Sequence, residues 1–329
     1  MGMQKAIARI GVGFQSAKGT ALTVPTFGHG VTGGTGFDMD IAQDRAPITS
    51  SNRVSPQVDR TDAIAKFDAQ FRAHSKSIGM WLYLALGGKS VTGAGPYTHT
   101  ISPSNTLPYA TVFCDLGGEL RAVQDVVVDS LELSWDESGI VNVAASGMGT
   151  LTAFAPSMAI ATDDSNSTYM VATSGTASNL KYAASGAAAQ APIKAGSIKI
   201  SNNADVISLA YSVVPDEVFW GRQDYEAALT IVPSTNLNDW RTVATGSAGG
   251  TSVSQTAVYG GLDVKFVNGS DSLQLAATRV PYTVGYPQAD PSGGHVELAF
   301  AGLPVLTAAG AAALTATLIN SQASYVAGT

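Results

Sequence analysis

The most constraining feature of this sequence is a strand-to-helix unit that occurs twice, 159 residues apart. In the first copy DAIAKFDAQF leads into SKSIGMWLYLALGG. In the second, GRQDYEAALTI leads into STNLNDWRTVATGS. At that offset Trp240 falls on Trp81, Ala244 on Ala85 and Gly246 on Gly87. The flanking segments keep the same order. FDMDIAQD precedes the first unit as GSIKISNN precedes the second, and VVVDSLELSWDESGIVNVAASG is matched later by RVPYTVGYPQADPSGGHVELAFAG. Direct identity is low, so the repeat rests on the order of elements. It predicts a duplicated domain, and 329 residues are enough for two domains of ordinary size.

Most of each copy reads as β. In Asp62–Arg72, Ala63, Ala65, Phe67, Ala69 and Phe71 share one face, while Lys66, Asp68, Gln70 and Arg72 share the other. A period of two marks a strand with one buried face. Leu131, Leu133 and Trp135 alternate with Ser130, Glu132 and Ser134, and the turn Asp136-Glu137-Ser138-Gly139 sends the chain back along Ile140–Ser146. Asn268-Gly269 predicts a tight hairpin between VKFV and SLQL, because both residues tolerate positive φ. One short helix is capped by Ser75, aligns Ile78, Trp81, Leu82 and Ala85, and stops at Gly87-Gly88. A second spans about Ser234–Thr245, with Leu237, Trp240 and Ala244 on one face and Gly246 as its stop. Trp81 and Trp240 are thus the expected helix cores. The fold class is mainly β: two tandem β-sandwich or barrel domains, each with one short outer helix. Residues 1–155 form the first domain with a flexible N-terminal arm, and 193–329 form the second. Between them, 156–192 reads as an Ala/Ser/Thr-rich linker with a short strand at Tyr169–Thr173. Ala308–Ala313 reads as helical, and LTATLIN as a final strand.

Charge and chemistry exclude several function classes. Residues 1–155 carry 11 basic and 13 acidic side chains, 156–192 carry 1 and 2, and 193–329 carry 6 and 10. None of these segments is basic, so the stripe a conventional nucleic-acid binder needs is missing. No apolar run reaches the length of a membrane helix, and the first residues lack a secretory signal. One cysteine, Cys114, excludes an internal disulfide and reads as a buried strand residue. The stretch Gly13–Thr20 has Lys18 before Gly19, the wrong order for a phosphate loop. His29, His74, His99 and His295 form no helical metal pair and read as surface or strand residues. No Gly-x-Ser-x-Gly elbow supports a nucleophile. Asp136-Glu137, Asp163-Asp164 and Asp216-Glu217 are adjacent pairs, not opposed carboxylates, and read as solvated. No cofactor, metal or catalytic residue is expected.

Three stretches resemble the major tail tube proteins of long-tailed bacteriophages: IGVGFQSAKGTALTVPTF, RAHSKSIGMWLYLALGG, and GAGPYTHTISPSNTLPYATVFCDLGGELRAVQDVVVDSLELSW. The resemblance covers most of residues 6–150 and returns more weakly over 194–320. It implies two packed β-sheets with an outer helix, subunits in rings usually of six such domains, inner sheets joined into a continuous barrel, and stacked rings that conduct DNA. It implies a virion protein assembled in the host cytoplasm. The partners are itself, tape measure, tail terminator and distal tail proteins, with transient passage of DNA and no membrane. This chain is about twice the length of one tube domain, so three two-domain chains would complete a ring of six. The lumen candidates are Asp68, Gln70, Glu132, Ser134, Asp136, Asp224, Glu226 and Glu297. The inter-ring loops are Ala42–Val58, with Asp44, Arg45 and Arg53, and Asn202–Val218, with Asn203, Asp205 and Asp216. Other tail or secretion-tube β-proteins are an alternative reading, as is a secreted β-sandwich adhesin or glycan-binding protein.

Overall fold

A computed structural model describes residues 9–34, 36–45, 58–115, 120–151, 160, 170, 180–183, 193–209, 215–232, 238–247, 249–285, 297–306 and 312–325. The first half contains β1 (Arg9–Phe14), β2 (Phe27–Gly30), β3 (Gly36–Arg45), β4 (Val58–Arg72) and α1 (Ile78–Leu86), then β5 (Gly87–Thr92), β6 (Tyr97–Pro103), β7 (Ala110–Asp115), β8 (Leu120–Trp135) and β9 (Asn142–Leu151). After β10 (Leu180–Ala183) come β11 (Ile193–Ser201), β12 (Asp205–Ile207), β13 (Glu217–Phe219), β14 (Asp224–Ile231) and α2 (Asn238–Thr245). The chain ends with β15 (Tyr259–Asn268), β16 (Asp271–Val284), β17 (Leu298–Gly302) and β18 (Thr315–Asn320). The protein is mainly β, with a 16-stranded antiparallel sheet and a separate pair, β12–β13.

Strand neighbours recur in the same order. In the first half β3, β4, β9 and β8 lie side by side. In the second, β11, β14, β17 and β16 do so. The two groups join where β11 pairs with β8, giving eight adjacent strands. A second junction pairs the terminal β18 with β6. One apolar core runs beneath both groups, from Phe67, Trp81 and Leu131 through Ile198 and Ile200 to Phe266, Leu273 and Phe300.

The helices sit after matching strands for a local reason. β4 and β14 alternate buried and open residues up to their last turn, and each helix then ends on a left-handed glycine, Gly87 at φ 89° and Gly246 at φ 84°. Only glycine adopts that conformation without a Cβ penalty. α1 starts later than Ser75 suggests. Ser77 occupies the N-cap position without a side-chain bond, and the amide of Ile78 bonds to the carbonyl of His74. Ser75 is instead tied to the end of the chain, its buried carbonyl accepting from the Asn320 amide at 2.6 Å. The hairpin after VKFV also differs by one residue. Asn268 still pairs with Asp271, so the turn is Gly269-Ser270, with the positive φ of 61° on Gly269.

The N-terminal region is not a flexible arm over its described part. β1 pairs with both β2 and β7, because Ile10, Val12 and Phe14 are buried and gain more from the core than from solvent. Within 156–192 the described residues are packed. Ile160 accepts a bond from Arg9 at 2.8 Å, Met170 bonds to Ala73 and Val141, and β10 pairs with β15. The strand expected at Tyr169–Thr173 lies outside the described residues except for Met170, as does Ala308–Ala313 except for Ala312 and Ala313. The final strand is β18.

Candidate functional site

The eight adjacent strands turn one side away from the core, polar from β3 to β14 and alanine on β17, and register brings the distant lumen candidates onto it. Asp68 pairs with Ser146, Ser146 with Ser130, Ser130 with Ser201, and Ser201 with Asp224. The next row runs Gln70, Ala144, Glu132, Lys199, Glu226. A third runs Arg72, Asn142, Ser134, Ser197, Ala228, Ala301, Thr283. Residues two apart share a face of a strand, so all three rows lie on the same side. Their neighbours on the opposite side are buried: Phe67, Ala69 and Phe71 on β4, Leu131 and Leu133 on β8, and Ala227 and Leu229 on β14. The hydroxyls of Ser130 and Ser146 are 2.8 Å apart across this face.

Asp136 and Glu297 are not in these rows. Asp136 lies in the exposed turn before β9, where the amide of Ser138 donates to it at 2.8 Å. Bonds from the Ser138 hydroxyl and amide hold its carboxyl below the usual range. Glu297 precedes β17 and binds Lys194 at 2.6 Å, while Glu137 binds the same ammonium at 2.8 Å. Those bonds, with Glu137 contributing most, raise the Lys194 pKa. This trio is exposed, so it ties strand ends together at little gain in stability.

The lumen candidates, acids with Gln70 and Ser134, left out the cations on the same face. Lys66 pairs with Asp38 on β3, Arg72 follows on β4, and Lys199 stands between Glu132 and Glu226. The alternation over Asp62–Arg72, which Ile64 alone breaks, already carried Lys66 and Arg72. Asp224 is itself partly compensated: Arg222 Nε lies at 2.9 Å and Asn203 Nδ2 at 3.0 Å, and the Arg222 guanidinium chiefly depresses its pKa.

The two loop candidates differ in what is described. Asp44 and Arg45 are the last residues of β3, opposite Asp59 and Val58, and Arg53 lies outside the described residues. In the second half Asn202 is buried and donates to the carbonyls of Ala85 at 3.0 Å and Val128 at 2.8 Å, anchoring the start of the loop on α1 and β8. Asn203 follows with a left-handed φ of 48°. Asp205 opens the β12–β13 hairpin and Asp216 closes it, its amide bonding to the carbonyl of Ile207. Val218 packs that hairpin onto Val127 and Leu107.

Trp81 is fully buried, with ring centroids 5.3 Å from Phe71 and 6.2 Å from Phe67. Trp240 is half-buried against the core, and its indole donates to the carbonyl of Gly285 at 2.7 Å. The three described histidines are all buried, and the fold stacks His29 on Phe71 beside His74. His29 accepts the Trp81 indole at 3.4 Å, and burial lowers its pKa to about 3, with His74 adding to the effect. His295 lies outside the described residues. Among the described residues no group of three His, Cys, Asp or Glu could hold a metal ion. Cys114 is buried in β7, which pushes its thiol up to about 11, away from reactivity. The amide of Gly19, where a phosphate loop would bind its ligand, is bonded to Asp125 at 2.7 Å. No described helix is long and apolar enough to cross a membrane.

No curated protein matches the chain. A model of the phage tail tube protein family matches residues 6–278. That span covers most of the sequence and takes in six of the eight adjacent strands whole and β16 as far as residue 278, leaving out β17, so the mainly β chain with its broad polar face is a structural protein of the virion tail and belongs to the phage tail tube protein family.

Proposed function

We propose that this protein polymerises as rings whose polar sheet faces line a channel, and that stacked rings form the conduit through which DNA leaves the virion. The observation that carries this reading is the in-register polar face across β3-β4-β9-β8-β11-β14, continued through Ala301 of β17 to Thr283 of β16. An open sheet of this length leaves unpaired backbone at both ends, and closure into a ring removes that hazard. The matching strand orders of the halves support two tube domains per chain, about residues 1–155 and 193–329, joined through 156–192. Three chains then make a ring with pseudo-sixfold appearance. Heterologous contacts that close give rings, and ring-on-ring contacts give a filament. The loops Ala42–Val58 and Asn202–Val218 are the proposed ring-to-ring contacts. Tape measure, terminator and distal tail proteins bind at the tube's interior and ends. Assembly takes place in the host cytoplasm, and the role is mechanical rather than enzymatic.

On the proposed lumen face Asp38, Asp68, Glu132, Asp224 and Glu226 outnumber Lys66, Arg72 and Lys199. A net negative wall repels the duplex and avoids the counterion release that makes basic surfaces capture it. Negative-stain microscopy of purified protein tests the assembly: hollow rods of stacked rings are expected, with isolated rings of about three times 33.6 kDa by native mass spectrometry. Dispersed globules, or rings of six chains, would contradict it.

A further inference from the structure

We infer that neighbouring chains join in one defined strand register. β3 of one chain runs antiparallel to the free end of β16 of a second copy, with Asp40 opposite Thr283, Met39 opposite Val284 and Asp38 opposite Gly285. This rests on the ring reading above and adds the strands and register of the seam.

The chain contains its own template for such a seam. β9 takes one edge of β8. The other edge is shared, with β7 covering Leu120–Val126 and β11 covering Ser130–Trp135. β16 is arranged alike. β17 and β18 take one edge, and β15 covers the other only as far as Pro281. Beyond Pro281 that edge has no partner strand among the described residues. Among the described residues β3 is likewise paired only with β4, whereas its counterpart β11 has both β14 and β8. The two open edges are therefore the counterparts of the two edges already joined within the chain.

Two irregularities and one glycine set the correspondence. The β7–β8 ladder shifts between Ala110↔Val126 and Val112↔Val123, and the β15–β16 ladder shifts in the same sense between Gly260↔Val280 and Leu262↔Ala277. Bulges of this kind pin register, so Val126 corresponds to Val280. Two residues on, Val128 faces Gly147 and Tyr282 faces Gly302. Neither glycine has room for a Cβ: at Gly147 it would meet the Phe67 ring at 2.6 Å, and at Gly302 the Tyr282 ring at 2.8 Å. β8 then carries one extra residue, Asp129, which β16 lacks, so Ser130 corresponds to Thr283.

The other side of the seam follows from the same glycines. Gly147 pairs with Phe67 and Gly302 with Ala227, which places Ile64 on Asp224. Their partners are Asp40 and Ser201. The in-chain contact Ser130↔Ser201 therefore becomes Thr283↔Asp40 between chains. The two seams differ chemically. The in-chain seam sets Glu132 against Lys199, but the same row between chains sets Gly285 against Asp38.

Directly opposed residues on antiparallel strands bring their Cβ atoms to ~4.5–5.5 Å, close to disulfide reach, whereas diagonal neighbours lie at ~7–8 Å. Assembled tubes carrying Asp40→Cys and Thr283→Cys should give chain-to-chain species on a non-reducing gel after oxidation. Asp38→Cys with Thr283→Cys, two residues out of register, should not. Wild-type protein, with Cys114 buried, is the blank. Hydrogen exchange on wild-type chains before and after assembly reads the same seam without substitution, with amides in 38–40 and 283–285 gaining protection together. Cross-linking by the out-of-register pair, or tubes in which neither segment gains protection, overturns the register while leaving the ring intact. Wild-type chains that form no ring overturn the ring reading and the register with it.

Discussion

His29 shows how a single residue couples this core to pH. Held neutral in the core, it has a pKa of about 3 against 6.5 in the unfolded chain, so the unfolded state binds more protons between those values. Its contribution to stability is complete above the unfolded pKa and is lost as pH falls toward 3. The loss reaches about 1.4 kcal/mol per pH unit for one proton. Denaturant titrations of wild type and His29→Phe over pH 7 to about 4.5 should therefore show a flatter profile for the variant, which keeps the stacking on Phe71 but has no proton to bind. Equal slopes would assign the acid sensitivity elsewhere. Burial of His99 lowers its pKa as well and acts in the same direction. Trp81 makes a second residue-scale prediction. Truncating a fully buried indole costs ~3–5 kcal/mol, so Trp81→Ala should unfold at much lower denaturant. Trp240→Ala should cost less, because that side chain is half-buried.

At the scale of elements, the decisive features are the places where strands approach too closely for a side chain. In β9 a Cβ on Gly147 would collide with the Phe67 ring and the carbonyl of Val127, and in β17 a Cβ on Gly302 would meet Val280 and Tyr282. Overpacking of this kind typically costs ~1–3 kcal/mol. Gly147→Ala and Gly302→Ala should each destabilise the chain by that amount, whereas an alanine at Gly34, where a Cβ meets nothing, should be near neutral. Thermal or denaturant unfolding of the three variants provides the comparison. A neutral Gly147→Ala would mean that β4 and β9 can separate without loss. The alternation in β4 and β8 that makes one face polar was legible in residues 62–72 and 130–135, because period-two patterning is local. The close approaches were not, because each involves residues from different strands.

For the whole molecule, the prediction concerns charge in the proposed channel. Salt screens an exposed field within ~8–10 Å at physiological ionic strength, a range that still matters for DNA passing a narrow wall. Tubes carrying Asp68→Lys, Glu132→Lys and Glu226→Lys should eject DNA more slowly at low salt and approach wild-type rates at high salt. Asp224 is a weaker choice for reversal, since Arg222 and Asn203 already engage it. Ejection kinetics unchanged by the reversals at every salt concentration would remove the electrostatic account and leave the conduit itself standing.

The mainly β class of fold, the two helix stops, the polar sides of β4 and β8 and the likeness to tail tube proteins that the family match bears out were all readable from the residues alone. These properties depend on residues within a few positions of one another, or on motifs that survive as strings. Tertiary structure alone decided that Ser130–Trp135 pairs with Gly196–Ser201, so that two polar faces become one, and that β18 returns to β6. It also decided that His29 and His74 meet in the core, and that β1 is a strand of the sheet rather than an arm. Each of these is a contact between segments far apart in the chain. Its free energy comes from apolar surface buried jointly by both partners, and no pattern within either segment records which partner it will find.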